Sequence, residues 1–289
     1  MFTIENDLLT VNVTSKGAEL DSIYHKRNKL EYLWSADPTV WGKKSPILFP
    51  IVGTLKNNTY YYEENAYVLS RHGFAREHNF TLVEQSENSV SLSLKSDAET
   101  LKKFPFIFEL IIAYTVVENS LTVTYKVINE DNKIMFFSVG GHPAFKVPLV
   151  PETRYEEYYL EFDKKESAGR WPISPDGLIE SIPTPLMENT DRITLSRELF
   201  YQDALVFKHL SSHQVSLKSD KTTHGFIFDF TSFPYLGIWA AKNADFVCIE
   251  PWYGIADTVN SNQQLPEKEG IQKLEAGETF KAVWSVQLF

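Results

Sequence analysis

The sequence has one cysteine, Cys248, in 289 residues. An internal disulfide is therefore excluded, and a reducing compartment is expected. No run approaches the roughly 18 apolar residues that a membrane-spanning helix needs. The first residues, "MFTIENDLLTVNV", lack a basic segment and a long apolar core, so no signal peptide is read there and a cytoplasmic location is expected. Positive charge is in deficit: 28 Lys and Arg against 38 Asp and Glu leave a net charge of −10. That balance argues against non-specific binding to nucleic acid or to an anionic membrane. Helical patterning is scarce. Its best example is "SDAETLKKFPF", where Ser96 and Glu99 have capping-box spacing and Pro105 stops the turn. Neither the two-histidine helix motif nor Cys-x-x-Cys occurs, so no metal site is expected.

What the chain has in quantity is alternation. "SVSLSLK" sets Val90, Leu92 and Leu94 on one side, and "SLTVTYKVIN" does the same with Leu121, Val123, Tyr125 and Val127. Similar runs recur in "LLTVNV", "FELIIAYTVV", "QVSLKS", "GFIFDF" and "FKAVWSVQL". The segments 79–85 with 89–94, and 108–117 with 120–128, read as hairpins. The expected fold is all-β: a large antiparallel β-sandwich with a few short helices. No linker or repeat divides the chain, so residues 1–289 are expected to form one domain. The one compositional shift is at about 148–192, where Pro148, Pro151, Pro172, Pro175, Pro183 and Pro185 interrupt regular structure. Such a connection is either a crossover or the wall of a binding site.

Two of the seven histidines have unusual neighbours. His72 lies in "LSRHGFAR", between Arg71 and Arg76, and His142 lies in "SVGGHPAFKVP". Adjacent glycine permits a sharp turn or a close ligand, and the proline after His142 biases it to an extended backbone. Each is a structural turn histidine or a functional one. In "DFVCIEPWYG", strand alternation puts Phe246, Cys248 and Glu250 on one face. Glu250 is then either paired or raised in pKa, and in a cleft it can serve as a base. Cys248 reads as a packed, inert thiol. Aromatic residues make up 14% of the chain, and Phe233, Tyr235, Trp239 and Trp252 cluster around these motifs. They are core residues or faces for a sugar ring.

Together these segments resemble the aldose 1-epimerases of the galactose-mutarotase-like superfamily, in particular the LacX-type branch. The likeness is carried by "FPIVGTLKNNTYYY", "YVLSRHGFAR", "SVGGHPAFKVP", "YQDALVF", "FPYLGIWAAKNADFVCIEPWYGIAD" and "LEAGETFKAVWSVQL". It implies a single supersandwich with a sugar cleft on a concave sheet, an isomerase acting in carbohydrate metabolism, no metal or cofactor, and a small-molecule sugar as partner, in a monomer or homodimer. By the same resemblance His142 matches the general acid, Glu250 the general base and His72 a second site histidine. Asp203 matches an acidic residue that holds sugar hydroxyls, and Arg76 and Trp239 match site residues of this branch. The galactose mutarotases also carry an Asn-Arg pair before the first histidine. This chain has "FPIVGTLKNN" there, so Lys56 or Arg71 is the available replacement.

Anomer exchange needs little: a base for the C1 hydroxyl proton, an acid for the ring oxygen, and rotation about C1–C2. An imidazole of pKa ~6.5 suits the acid, and a carboxylate of pKa ~4.3 suits the base if desolvation is modest. A glycosidase would use two carboxylates, for which Asp203 and Glu250 are available, but it would leave the two histidines unexplained. A sugar sensor with the same cleft and little turnover is a second alternative. A hexose-6-phosphate epimerase is a third, drawing on Lys43, Lys44, Lys56, Arg71 and Arg76.

Overall fold

The computed structural model describes the whole chain, Met1–Phe289, as a β-sandwich with one short helix and a few 3-10 turns. Period-two patterning builds its core. In the strand Phe108–Val117, Phe108, Leu110, Ile112, Tyr114 and Val116 are buried while the residues between them are not. Its hairpin partner Ser120–Asn129 pairs with it from Phe108↔Asn129 to Val117↔Ser120. The second expected hairpin joins Thr81–Gln85 to Ser89–Lys95. There the outer strand is exposed along its whole length, because it is the edge of its sheet and packs on nothing. A register shift between Leu82 and Glu84 breaks that edge ladder.

The larger sheet has nine strands, ordered 190–194, 158–166, 214–219, 222–229, 279–288, 120–129, 108–117, 89–95 and 81–85. A six-stranded sheet runs 205–207, 235–239, 246–253, 139–141 and 47–48, with 144–146 also paired to 246–253. The main apolar cluster draws residues from both sheets. A smaller cluster, containing Leu48, Val52, Ile179, Val206, Trp252 and Ile255, is separate from it. The strand Phe246–Tyr253 is buried at every position but the last, so it has no solvent face.

Two expectations need correction. The helix is Ala98–Leu101, and its cap is Asp97, not Ser96. Asp97 Oδ1 accepts from Glu99 N and Thr100 N, and Thr100 Oγ1 accepts from Asp97 N, so the box is one residue further along. Ser96 Oγ instead accepts from Phe108 N, which ties it to the neighbouring strand. The proline-broken region 148–192 also contains a nine-residue strand, Tyr158–Glu166, inside the larger sheet. No helix is long and apolar enough to cross a membrane.

Candidate functional site

The six-stranded sheet brings His142 and Glu250 together through register. Val139 and Gly140 pair with Tyr253 and Trp252, and Ala144 to Lys146 pair with Cys248 to Phe246. The register is unchanged across the gap, so His142 stands directly opposite Glu250. Pro143 has no N–H for the ladder, although its carbonyl accepts from Ile249 N at 3.3 Å. The pleat turns both side chains to the same face, and His142 Nε2 lies 3.3 Å from Glu250 Oε2.

The glycines of this region keep that face flat. Gly237 is the partner of Glu250 on the other side, and a Cβ there would overlap the Trp252 ring. A Cβ on Gly140 would come 2.7 Å from Trp252 Cδ1. Gly141 faces the opposite way, where a Cβ would meet the Tyr125 hydroxyl at 2.6 Å. "GGH" thus has one glycine for an indole on the site side and one for the core.

His142 and Glu250 border a cavity of about 340 Å³, together with Arg71, His72, Arg76, Asp203, Trp239 and Trp252. That volume lies within the ~300–1,000 Å³ typical of small-ligand sites. His142, Glu250, His72, Asp203, Arg76, Trp239 and Arg71, all expected at a site from the sequence, thus line one cavity. Three rings surround the His142 imidazole. Trp41 stacks on it at 5.1 Å and 25°, and Trp239 and His72 meet it edge-on at 5.5 and 5.7 Å.

His72 has a left-handed backbone, φ +69°, followed by Gly73 at +71°. This turn presses residues 72–73 onto 49–53: His72 N donates to Gly53 O at 2.9 Å, and Gly53 N donates to His72 Nδ1 at 3.1 Å. A neutral imidazole has one acceptor nitrogen. Arg71 Nε donates toward the other ring nitrogen, Nε2, at 3.3 Å, so two donors compete for that one acceptor. Arg71 Nη2 is 3.6 Å from Asp203 Oδ1. Asp203 is also left-handed, φ +70°, and its Oδ1 accepts from Ala204 N.

Burial dominates the electrostatics. It pushes the Glu250 carboxyl well above its ordinary 4.5, with Arg71 pulling down, Asp203 adding to the rise and the Trp252 indole opposing it weakly. Burial pulls His142 down to about 3; its own backbone acts upward, and Arg71 and Arg76 act downward. His72 is held well below 6.5 by burial and then by His142, Arg71 and Arg76. Burial thus disfavours the cationic form of both histidines and the ionised form of Glu250. The modest desolvation expected from sequence is wrong: Glu250 is only 2% exposed, because the stacked aromatics close over a strand that is already internal. Five buried side-chain polar atoms have no hydrogen-bond partner within the protein, and four belong to cavity residues: Arg76 Nε, His142 Nδ1, Glu250 Oε2 and Trp252 Nε1. Native interiors rarely tolerate such atoms away from functional sites.

Other expected contributors are elsewhere. Lys56 Nζ donates to Val259 O at 3.0 Å, Lys43 pairs with Glu77 and Lys44 with Asp21; of the basic group only Arg71 and Arg76 reach the cavity. Phe233 packs between Tyr125 and Tyr253, and Tyr235 packs on the smaller apolar cluster. The 148–192 connection does supply a wall, through Ile173, Gly177 and Ile179. Trp41 was not anticipated. It sits in a short "TVWGKK" segment whose sequence has no periodicity to mark it.

Comparison with known proteins gives a consistent result. The family described as aldose 1-epimerase matches residues 1–272. The plasmid and chromosomal LacX proteins of Lactococcus lactis subsp. lactis are each 37% identical over 294 residues, covering 99% of this chain and 98% of theirs. A galactose mutarotase related enzyme from Lactobacillus acidophilus superposes with a TM-score of 0.95 at 34% identity, over 100% of this chain and 97% of its own. A galactose mutarotase-like protein from Lactobacillus casei ATCC 334 gives 0.92 at 32% identity, with both chains fully covered.

Proposed function

The chain belongs to the aldose 1-epimerase family, and from that premise we propose that it is a mutarotase interconverting the α and β anomers of a free aldohexose. The observation that carries this reading is the facing His142–Glu250 pair at 3.3 Å on the cavity wall. Glu250 takes the proton of the C1 hydroxyl as the bond from C1 to the ring oxygen breaks, and His142 delivers a proton to that oxygen. The open-chain aldehyde turns about C1–C2, and the two transfers run backwards to close the ring on the other face. One proton enters the pair and one leaves, so no cofactor or net charge change is needed. Because burial favours the neutral tautomer, the carboxyl proton passes to His142 as the sugar hydroxyl docks, with Arg71 stabilising the carboxylate that results. Arg71 donates to a sugar oxygen, His72 hydrogen-bonds the sugar, Asp203 accepts from a hydroxyl, and Trp239 and Trp252 offer apolar faces to C–H groups.

The test is polarimetry on freshly dissolved α-anomers of glucose and galactose. Glu250→Gln and His142→Asn are each expected to lose about 10²–10⁴-fold in rate, the usual share of general acid–base assistance. Variants as fast as wild type would remove the catalytic assignment. Sugar binding by wild type without faster exchange would make the protein a sensor.

A second reading, a hexose-6-phosphate epimerase, is favoured by the two arginines in the cavity and by the unpartnered Arg76 Nε. It predicts that glucose 6-phosphate outcompetes glucose in kcat/KM, and that Arg76→Met removes that preference while leaving glucose unaffected.

A further inference from the structure

Cys248, Glu250 and His142 form a set that the acid–base reading uses only in part. Their ligand-capable atoms, Sγ, a carboxylate oxygen and an imidazole nitrogen, all lie within 4.8 Å of one another, and all three residues are buried. The set is legible only in the fold. Cys248 precedes Glu250 by one pleat repeat on the same face, and His142 joins from the neighbouring strand through the register described above. Searching for ligand spacing within one segment misses it.

We propose that these three side chains form a binding site for a borderline-soft divalent transition ion, with Zn²⁺ as the type, and that the bound ion shuts off the acid–base pair. Zinc bonds of ~2.0–2.3 Å at tetrahedral angles put neighbouring ligand atoms roughly 3.3–3.6 Å apart. His142 Nε2 and Glu250 Oε2 already span 3.3 Å. The thiolate has to close by at most about 1.3 Å to complete three corners. Glu250 Oε2 has no hydrogen-bond partner, so a cation meets an oxygen the protein leaves unsatisfied. His142 and Glu250 line the cavity, whereas Cys248 lies in the buried core behind them.

Charge supports the same ion. A thiolate and a carboxylate neutralise a dication, which suits a site closed in by Trp41 and Trp239. Binding releases the Cys248 thiol proton. Magnesium and calcium are disfavoured, because they seek six or more oxygen ligands and the set offers one carboxylate. Once coordinated, His142 cannot deliver a proton and Glu250 cannot accept one. This inhibitory consequence rests on the proposed acid–base roles; the binding itself does not.

The experiment uses the full chain, dialysed against chelator, titrated with ZnCl₂ by calorimetry and with CoCl₂ by near-ultraviolet absorption. Wild type should bind one equivalent, show a thiolate-to-cobalt band and lose mutarotation, with chelator restoring it. Cys248→Ala and Cys248→Ser should keep the metal-free rate, bind zinc more than ~100-fold more weakly and resist inhibition, since even outer-shell partners are worth about 10–100-fold. Wild-type binding no tighter than that of Cys248→Ala, or cobalt binding without a thiolate band, would overturn the site. Both readouts come from wild type as well, so an unstable variant does not remove the test. Tight binding with the thiolate band but an unchanged rate would sustain the metal site and sink the acid–base roles of His142 and Glu250.

Discussion

Replacing Glu250 by glutamine should make the protein more stable while disabling it, and the pH dependence of the gain identifies its cause. Burial holds the Glu250 carboxyl well above its ordinary 4.5. A group whose folded pKa is raised gives its full stability below the unfolded pKa and loses it as pH rises toward the folded value. While the folded pKa lies above the pH, each unit of pH above the unfolded pKa costs about 1.4 kcal/mol of stability. Glutamine has no proton to lose and keeps the shape and a donor for His142. The measurement is urea unfolding of wild type and Glu250→Gln at pH 5, 6, 7 and 8. The stability difference, mutant minus wild type, should grow as pH rises above the unfolded pKa, by up to about 1.4 kcal/mol per unit. Any fixed cost of burying the amide shifts that line without changing its slope. His142 has the opposite sign, since its depressed pKa yields stability gained as pH rises from about 3 toward the unfolded value; present in both proteins, it largely cancels. A flat difference would mean that burial does not raise the Glu250 pKa, and the desolvation argument would fall.

Three further outcomes follow from the geometry. Trp41 covers His142 at 5.1 Å, so Trp41→Ala should admit water and move the His142 pKa up from about 3, read from imidazole chemical shifts during a pH titration; an unmoved value would show that Trp41 does not supply the desolvation. Gly237→Ala puts a methyl into the Trp252 ring and should cost about 1–3 kcal/mol by overpacking, with KM rising as the indole tilts; wild-type unfolding and KM would refute the packing argument. Asp97→Ala removes the acceptor for Glu99 N and Thr100 N and should cost about 1 kcal/mol with mutarotation unchanged, which polarimetry and urea midpoints check together.

Local chemistry determined much of this protein. Period-two patterning was enough to anticipate the sandwich, both hairpins and the face shared by Cys248 and Glu250, because the pleat follows from the backbone within a few residues. The glycine-bordered histidines were visible for the same reason: a left-handed His72 and an interrupted ladder at Pro143 leave marks in adjacent residues. The resemblance gave His142 and Glu250 as acid and base, but their direct contact was not legible, since it depends on two segments more than 100 positions apart sharing one register. Nor was the choice of Arg71 over Lys56, which rests on Lys56 being taken up by Val259 O. Trp41, Ile173 and Ile179 reach the cavity only through loop closure, which no periodicity records. Most of all, the depth of burial was invisible. A carboxyl on a strand end can be half-solvated or sealed, and only the aromatic rings packed from other elements decide which. That packing raises the Glu250 pKa and lowers that of His142.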